Sequence, residues 1–109
     1  MSTPAYLGEF EQLLLLAILR LGAGAYGVDI ARELEARAGR RVSRGALYTS
    51  LDRLEDKGLI EGRWVERAGQ RRRRYYRLTA AGKKMLASQR DVWQTFFVAL
   101  DRVAGIRHA

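Results

Sequence analysis

The highest concentration of functional side chains in the sequence is a cluster of arginines between residues 61 and 77. This segment holds seven arginines against two glutamates, Glu61 and Glu66, so it carries +5 within a chain whose formal net charge is +8. Guanidinium groups gain affinity for phosphates by displacing counterions, so this balance favours a nucleic acid as the partner. A merely solvated strand face, protected against aggregation, is the alternative interpretation.

The sequence lacks the residues that enzymes usually use for catalysis. The chain has no cysteine, and its one histidine, His108, lies one residue from the end. No glycine-rich loop is followed by Lys-Ser or Lys-Thr, and the carboxylates are spread along charged helix faces. We therefore expect no enzyme, no bound metal and no cofactor. The absence of cysteine also excludes a disulfide framework and indicates a reducing, cytoplasmic compartment.

Apolar periodicity predicts the helices that must position the arginines. The segment LGEFEQLLLLAILRLG, residues 7–22, is apolar on most sides after its first turn, which is typical of a helix buried between other helices. Its apolar run, Leu13 to Leu19, is far shorter than the ~20 residues that cross a bilayer, so no membrane is expected as a partner. The segment VDIARELEARAG carries one apolar stripe and predicts a second helix that ends at Gly39.

A third helix combines a regular buried face with a polar leading end. Ser43 is the predicted N-cap of a helix from Arg44 to Lys57. Three leucines at intervals of four and three residues form its buried face: Leu47, Leu51 and Leu54. Small or basic residues, which can approach a DNA groove closely, form its outward end: Ser43, Arg44, Gly45, Ala46 and Thr49.

The periodicity then changes from helical to extended. LIEGRWVER and RRRRYYRLT flank AGQ, a short glycine-containing connection typical of a β-hairpin. Thr79 is the predicted cap of a last helix that continues to about Val103. Three helices, a hairpin and a further helix are the order of a winged helix-turn-helix domain, so the predicted fold is mainly α with a small β-hairpin (α+β). We expect one compact unit, with residues 1–79 as the DNA-binding part, residues 2–6 as a short mobile leader and residues 80–109 as a dimerisation helix.

The hairpin should present only part of its arginine cluster to DNA. Alternate residues of a strand share a face, so either Arg71 and Arg73 or Arg72 and Arg74 are predicted to contact phosphates. In a winged helix-turn-helix the third helix is the recognition helix that enters the major groove, and its position beside the cluster favours phosphate contact over a simple solubility role.

The aromatic residues near the hairpin are predicted to be structural. Tyr75 and Tyr76 must point to opposite faces of the strand, so at least one should pack on the helices. Tyr26 and Trp64 are expected in the core, because an aromatic residue in a small domain usually contributes buried area.

The last helix carries an apolar stripe that needs a partner. Its members recur at heptad spacing or widen that stripe: Leu86, Trp93, Phe96, Phe97, Leu100 and Val103. The stripe either folds back over its own domain or is buried against a second chain, and we expect a homodimer because the other helices already fill the core. A dimer would present two recognition helices to a palindromic operator. A gap between the subunits could admit a small aromatic or cationic ligand at Trp93 and Phe96, although a Trp at this spacing is more often interface core.

Four motifs resemble those of PadR-like transcriptional regulators. LGEFEQLLLLAILRLG, AYGVDIARELE, GALYTSLDRLEDKGLIEGR and RRRRYYRLTAAGKKML occur in family order and cover residues 7 to about 86. The resemblance implies a homodimeric bacterial winged-helix repressor of the smaller subclass, with a single C-terminal dimerisation helix. It also implies that the β-hairpin and its connection, which form the wing of this fold, carry basic residues to the DNA backbone or minor groove. The turn ERAGQ is shorter than in many members, which argues against deep insertion of the wing.

The resemblance places Tyr48 on the DNA-facing side of the third helix. Its hydroxyl could donate to a phosphate, or its ring could pack beside Leu47 and Leu51. The sequence therefore predicts a sequence-specific regulator that binds double-stranded DNA, as a homodimeric repressor that a small aromatic ligand could release. A winged-helix module that binds a protein or RNA is the alternative.

Overall fold

The computed structural model describes residues 7–105, which form four α-helices, one 3-10 helix and one antiparallel hairpin. The helices are α1 (Glu9–Leu21), α2 (Gly27–Ala38), α3 (Arg44–Asp56) and α4 (Ala80–Ala104), with the 3-10 helix (Gly22–Gly24) after α1. The strands are β1 (Ile60–Val65) and β2 (Arg73–Leu78). The predicted mainly α fold with a small β-hairpin is confirmed. The leader expected at residues 2–6, and His108, lie outside the described residues.

Helix α1 lies at the centre of the core. Leu14 and Leu15 are fully buried on it, and the acidic residues of its first turn complement the positive end of the helix dipole. The helix ends at Gly22, whose φ of +57° is a conformation that residues with a Cβ rarely adopt. The sequence predicts a helix over residues 7–22, but the observed α1 begins only at Glu9. It begins there because the backbone of Gly8, the residue before it, is extended.

Helices α2 and α3 form the helix-turn-helix unit. Helix α2 is closed by Gly39 in the left-handed conformation, as predicted. Ser43 caps α3, and its hydroxyl accepts a hydrogen bond from the backbone N–H of Ala46 at 3.1 Å. The three predicted leucines are buried on α3: Leu47, Leu51 and Leu54. Their burial fixes which face of α3 remains exposed.

The hairpin is shorter, and its connection longer, than predicted. The strands pair only as far as Val65 opposite Arg73, so the connection spans residues 66–72 instead of the three residues AGQ. Continuing the same register would place Arg67 opposite Arg71, and like charges directly across a ladder destabilise it. The chain turns there instead, with the backbone N–H of Gln70 donating to the carbonyl of Arg67 at 3.0 Å.

The two neighbouring tyrosines of β2 point to opposite faces, as predicted. Tyr76 is buried in the core, and its backbone N–H donates to the carbonyl of Ala25 at 2.8 Å. Tyr75 faces the other way and pairs across an isolated bridge with Tyr26. The hairpin is therefore joined to the start of α2 as well as to its own partner strand.

Helix α4 begins directly against the hairpin. Thr79 caps it as predicted, since its hydroxyl accepts a hydrogen bond from the backbone N–H of Gly82 at 3.0 Å. Gly82 is itself buried against the backbone carbonyl of Leu59, and a Cβ at this position would overlap that oxygen. A glycine is required here by this close approach and not by an unusual φ.

Helix α4 then runs antiparallel to α1 and extends past it. Leu19 near the end of α1 lines the same groove as Lys83 near the start of α4, whereas Gln12 in the first turn of α1 accepts a hydrogen bond from Trp93. Beyond Trp93, α4 continues to Ala104, so its last turns lie outside the helical core. No helix within residues 7–105 has both the length and the apolar content needed to span a membrane.

We expect Gly82→Ala to destabilise the protein and Gly45→Ala not to. A methyl group at residue 82 would overlap the backbone of Leu59, so we expect the free energy of unfolding to fall by ~1 to 3 kcal/mol. Gly45 also lies in the first turn of a helix, but nothing lies within 4 Å of its Cβ position, so alanine should stabilise α3 by up to ~1 kcal/mol. Urea unfolding at one protein concentration measures both variants. Equal effects would contradict the close approach of Gly82 to Leu59.

Candidate nucleic-acid interface

The leading end of α3 forms an exposed, positively polarised surface. The predicted contact residues there lie together at the exposed start of the helix: Ser43, Arg44, Gly45, Ala46, Tyr48 and Thr49. The first turn contains no acidic residue, so the positive end of the helix dipole and the charge of Arg44 act in the same direction. Such an end attracts phosphate and leaves room for a base edge.

Tyr48 packs against the start of α2. Its hydroxyl and ring lie over Gly27, so that a Cβ on Gly27 would overlap the hydroxyl. The contact with α2 was absent from both sequence-based interpretations of this residue. Tyr48 nevertheless remains 38% exposed, so part of the side chain is available at the surface beside the leading end of α3.

Arg74 is held by the last turn of α3. Its Nη2 lies 2.7 Å from Oε2 of Glu55, and the backbone N–H of Gly62 donates to the same oxygen at 3.4 Å. The hydrogen bond to Glu55 raises the pKa of the Arg74 guanidinium above its usual value, so this group stays charged. The pair ties the hairpin to α3.

Trp64 lies at the surface, and the prediction that it belongs to the core is wrong. The residue is 53% exposed, because it lies on the same hairpin face as the buried Ile60 but near the far end of the strand, beyond the core. Two arginines cover its ring: the Cζ of Arg72 lies 4.5 Å from the ring centroid and that of Arg74 lies 5.5 Å away. The indole therefore serves as a surface on which cations stack.

A second arginine–aromatic contact occupies the other side of the hairpin. The rings of Tyr26 and Tyr75 stack with centroids 5.5 Å apart, and the Cζ of Arg73 lies 4.7 Å from the Tyr26 centroid. Neighbouring arginines of the wing are thus divided between two aromatic groups, one around Trp64 and one around Tyr26.

A single groove joins the wing to α3. Five arginines and one aspartate line it, a local balance of +4: Arg44, Arg71, Arg72, Arg73, Arg74 and Asp52. Tyr48 and Trp64 also line this groove, which has a volume of about 820 Å³. All four wing arginines lie at this groove with the start of α3, and not only the predicted alternate pair, because residues 71 and 72 belong to the connection and not to a strand.

The predicted apolar stripe of α4 divides into a packed part and an exposed part. Leu86 is partly buried against the core, whereas Trp93, Phe96, Phe97 and Leu100 are each between 43% and 51% exposed. The three aromatic rings contact one another, with centroids 5.9 to 6.0 Å apart. The remaining member, Val103, is 88% exposed. The exposed part begins where α4 extends past α1.

The sequence matches the family model described as Transcriptional regulator PadR-like family over residues 15–88. The chain belongs to the PadR-like family. A PadR-like transcription factor from Bacteroides fragilis is 29% identical, with a TM-score of 0.75, over 86% of this chain and 88% of that one. A PadR family transcription regulator from Clostridium difficile is 27% identical, with a TM-score of 0.75, over 87% and 98% of the two chains.

A PadR of Bacillus subtilis has been solved in complex with operator DNA. It is 23% identical to this chain, with a TM-score of 0.64 over 73% of this chain and 45% of that one, so it supports the fold alone. The PadR-like match over residues 15–88 includes the groove between α3 and the wing. The exposed end of α4 lies beyond that match.

Sequence reasoning did not single out Glu55, Gly27 or Gln12. Glu55 and Arg74 are 19 residues apart, and only the hairpin register brings them together. Gly27 carried a usable signal, since a glycine in the first turn of a helix often marks a close approach by another group. Gln12 looked like one polar residue among apolar neighbours, and its contact with Trp93 depends on the antiparallel packing of α1 and α4.

We expect Arg74→Met and Arg72→Met to differ in stability. The Arg74 variant leaves the half-buried Glu55 without its cation, so the free energy of unfolding should fall by ~1 kcal/mol or more. The Arg72 variant removes a cation from an exposed ring, so its effect should stay within ~0.5 kcal/mol. Urea unfolding measures both. A larger loss for Arg72→Met would show that the Glu55–Arg74 pair does not secure the wing.

Proposed function

We propose that this protein is a homodimeric repressor that binds double-stranded DNA in a sequence-specific manner. The observation that carries the proposal is the groove in which the exposed start of α3 and the wing arginines form one surface with a balance of +4. An α-helix fits the major groove of duplex DNA, and flanking arginines bind the phosphates beside it. The B. subtilis PadR that was solved in complex with operator DNA shares this fold.

The two parts of the surface would have different tasks. Arg44 and Thr49 are exposed beside small residues, so their side chains can reach base edges and give sequence preference. Arg71, Arg72 and Arg73 would bind the sugar-phosphate backbone without regard to sequence. Arg74 would add to the same field while remaining bonded to Glu55.

We expect the double variant Arg44→Ala, Thr49→Ala to lose sequence preference while remaining folded. An operator is first selected from random duplexes with the wild-type protein, and affinities for it and for random DNA are then compared by fluorescence anisotropy. Since a good base contact contributes ~1 to 3 kcal/mol of discrimination, the ratio of the two affinities should fall about tenfold or more. Lys84→Ala, an exposed α4 change outside the groove, is the control.

An unchanged ratio in the double variant would place the base-reading residues elsewhere. The same titration with single-stranded RNA, at two salt concentrations, tests the alternative of an RNA-binding module. Preference for the duplex, with a steep dependence on salt, supports the regulator.

Repression and a cytoplasmic location extend the DNA-binding proposal. Repression rests on the family resemblance, and a dimer bound over a promoter would exclude the polymerase by occupying the same duplex. We propose a cytoplasmic location because bacterial genomic DNA lies there.

A second copy of the chain is the proposed partner of the exposed α4 face. The same side of α4 is packed on the core near Leu86 and Gln89 and is exposed from Trp93 onward. Burying such side chains fully contributes ~1.5 to 3 kcal/mol each, and a twofold axis would cover the face of each copy with that of the other. Half of each exposed ring is already covered, so the gain per residue is smaller.

We expect Phe96→Glu to yield a monomer and Val98→Glu to leave the dimer intact. The two residues are equally exposed, at 51% and 49%, but they lie two positions apart and so face opposite sides of α4. A charge at residue 96 would have to be buried without a partner, whereas one at residue 98 would remain in water. Light scattering measures the mass, and a dimer in both variants would contradict the proposed interface.

Release by a small aromatic or cationic ligand stays a prediction. The indole of Trp93 is 43% exposed between Phe96 and Phe97, and its Nε1 donates to Gln12 at 2.8 Å. We propose the space between these rings and those of a second copy as the place where such a ligand would stack. It would alter DNA affinity only if it bound two dimer geometries unequally.

A further inference from the structure

Two arginines share the exposed ring of Trp64, but they are held differently. Arg74 is bonded to Glu55 and lies so close to Gly62 that its Nε would be 2.6 Å from a Cβ there. Arg72 has no hydrogen bond or ion pair to any other side chain within residues 7–105; its contact is the stacking on Trp64. The N–H donors of Arg72 are therefore available to an external anion.

Stacking restricts the conformations of Arg72 before any ligand arrives. A flexible side chain loses rotamer freedom when it binds, and restricting it beforehand reduces that loss. A guanidinium over a ring face uses its charge and not its N–H groups for that contact, so those groups can still bind a phosphate. Arg72 is thus oriented without being neutralised.

The position of Trp64 is itself set by the recognition helix. Glu55 in the last turn of α3 holds Arg74, Arg74 pairs across the hairpin with Trp64, and Trp64 carries Arg72. This chain of contacts fixes the distance between α3 and the guanidinium of Arg72. A helix in the major groove would then bring Arg72 to a defined phosphate.

We propose that Trp64 is a positioning residue that orients Arg72 for contact with a DNA phosphate beside the bases read by α3. The inference rests on the proposed function of duplex DNA binding. Trp64 acts through Arg72 and needs no contact of its own with DNA.

Arg73 provides a matched comparison. It adjoins Arg72 in the chain and also stacks on an aromatic ring, but that ring belongs to Tyr26 on the other side of the hairpin. Removing the Trp64 ring should therefore reduce the contribution of Arg72 to DNA affinity and leave the contribution of Arg73 unaltered.

A double-mutant cycle on duplex binding tests the proposal. Affinities for operator and random duplexes are measured over a series of salt concentrations for Trp64→Ala, Arg72→Ala and both together, and likewise with Arg73→Ala. We expect each of the first two changes to weaken binding to all duplexes about threefold to tenfold and to reduce the slope of log K against log salt by about 0.9, as for one lost phosphate contact. The double variant should be no weaker than Arg72→Ala alone. The losses of affinity caused by Trp64→Ala and Arg73→Ala should be additive in free energy.

Two further variants separate positioning from folding. Trp64→Phe keeps an aromatic face and should retain the wild-type slope, whereas Trp64→Leu keeps apolar cover without that face and should behave like Trp64→Ala. If Trp64→Ala does not fold, the salt slopes of Trp64→Phe and Trp64→Leu are compared instead, and they test the proposal in the same way. Additive losses for Trp64 and Arg72, or a slope that Trp64→Leu leaves unchanged, would overturn the inference. Failure of the wild-type protein to bind duplex DNA would instead overturn the proposed function.

Discussion

The burial of three leucines on α3 is the constraint on which the proposed interface depends. Leu51 and Leu54 are fully inaccessible and Leu47 nearly so, and full burial of a leucine contributes ~1.5 to 3 kcal/mol. Once that face is fixed on the core, the helical period leaves Thr49 facing outward. Arg44 is exposed for another reason, because it is the first residue of α3 and precedes the first buried leucine. The exposed start of α3 can be small and polar without a loss of stability, because the packing that holds the helix begins only at Leu47.

The wing meets a different constraint, which is the repulsion between its own cations. Two of its arginines are paired with carboxylates, Arg74 with Glu55 and Arg77 with Glu61, and two others stack on aromatic rings. Stacking orders a guanidinium without cancelling its charge, whereas an ion pair does both. The wing therefore combines ordered side chains with a remaining positive field, which suits a surface meant for phosphates.

Local signals in the sequence predicted much of this fold. The caps Ser43 and Thr79 set helix starts through hydrogen bonds to residues three positions away, so both could be read from adjacent residues. The exposure of Trp64 could not, because it depends on which residue of β2 lies opposite and how far the strand extends from the helices. The same applies to Glu55, whose partner is determined by the hairpin register. Residue type predicted the components of the groove, and long-range pairing determined their roles.

The attachment of α4 to the domain connects the groove at α3 with the exposed apolar end of α4. Its first turn is fixed by the contact between Gly82 and the backbone of Leu59, directly before β1, and farther along Trp93 is bonded to Gln12 of α1. A helix held at two points about eleven residues apart, or roughly 16 Å at 1.5 Å per residue, cannot turn independently of the domain. If two copies associate through the exposed end of α4, the orientation of that helix sets the separation of the two α3 helices. A change of packing around Trp93 would then be transmitted to the proposed DNA-binding surface through α4 and α1 as a rigid body, without any rearrangement of α3 itself.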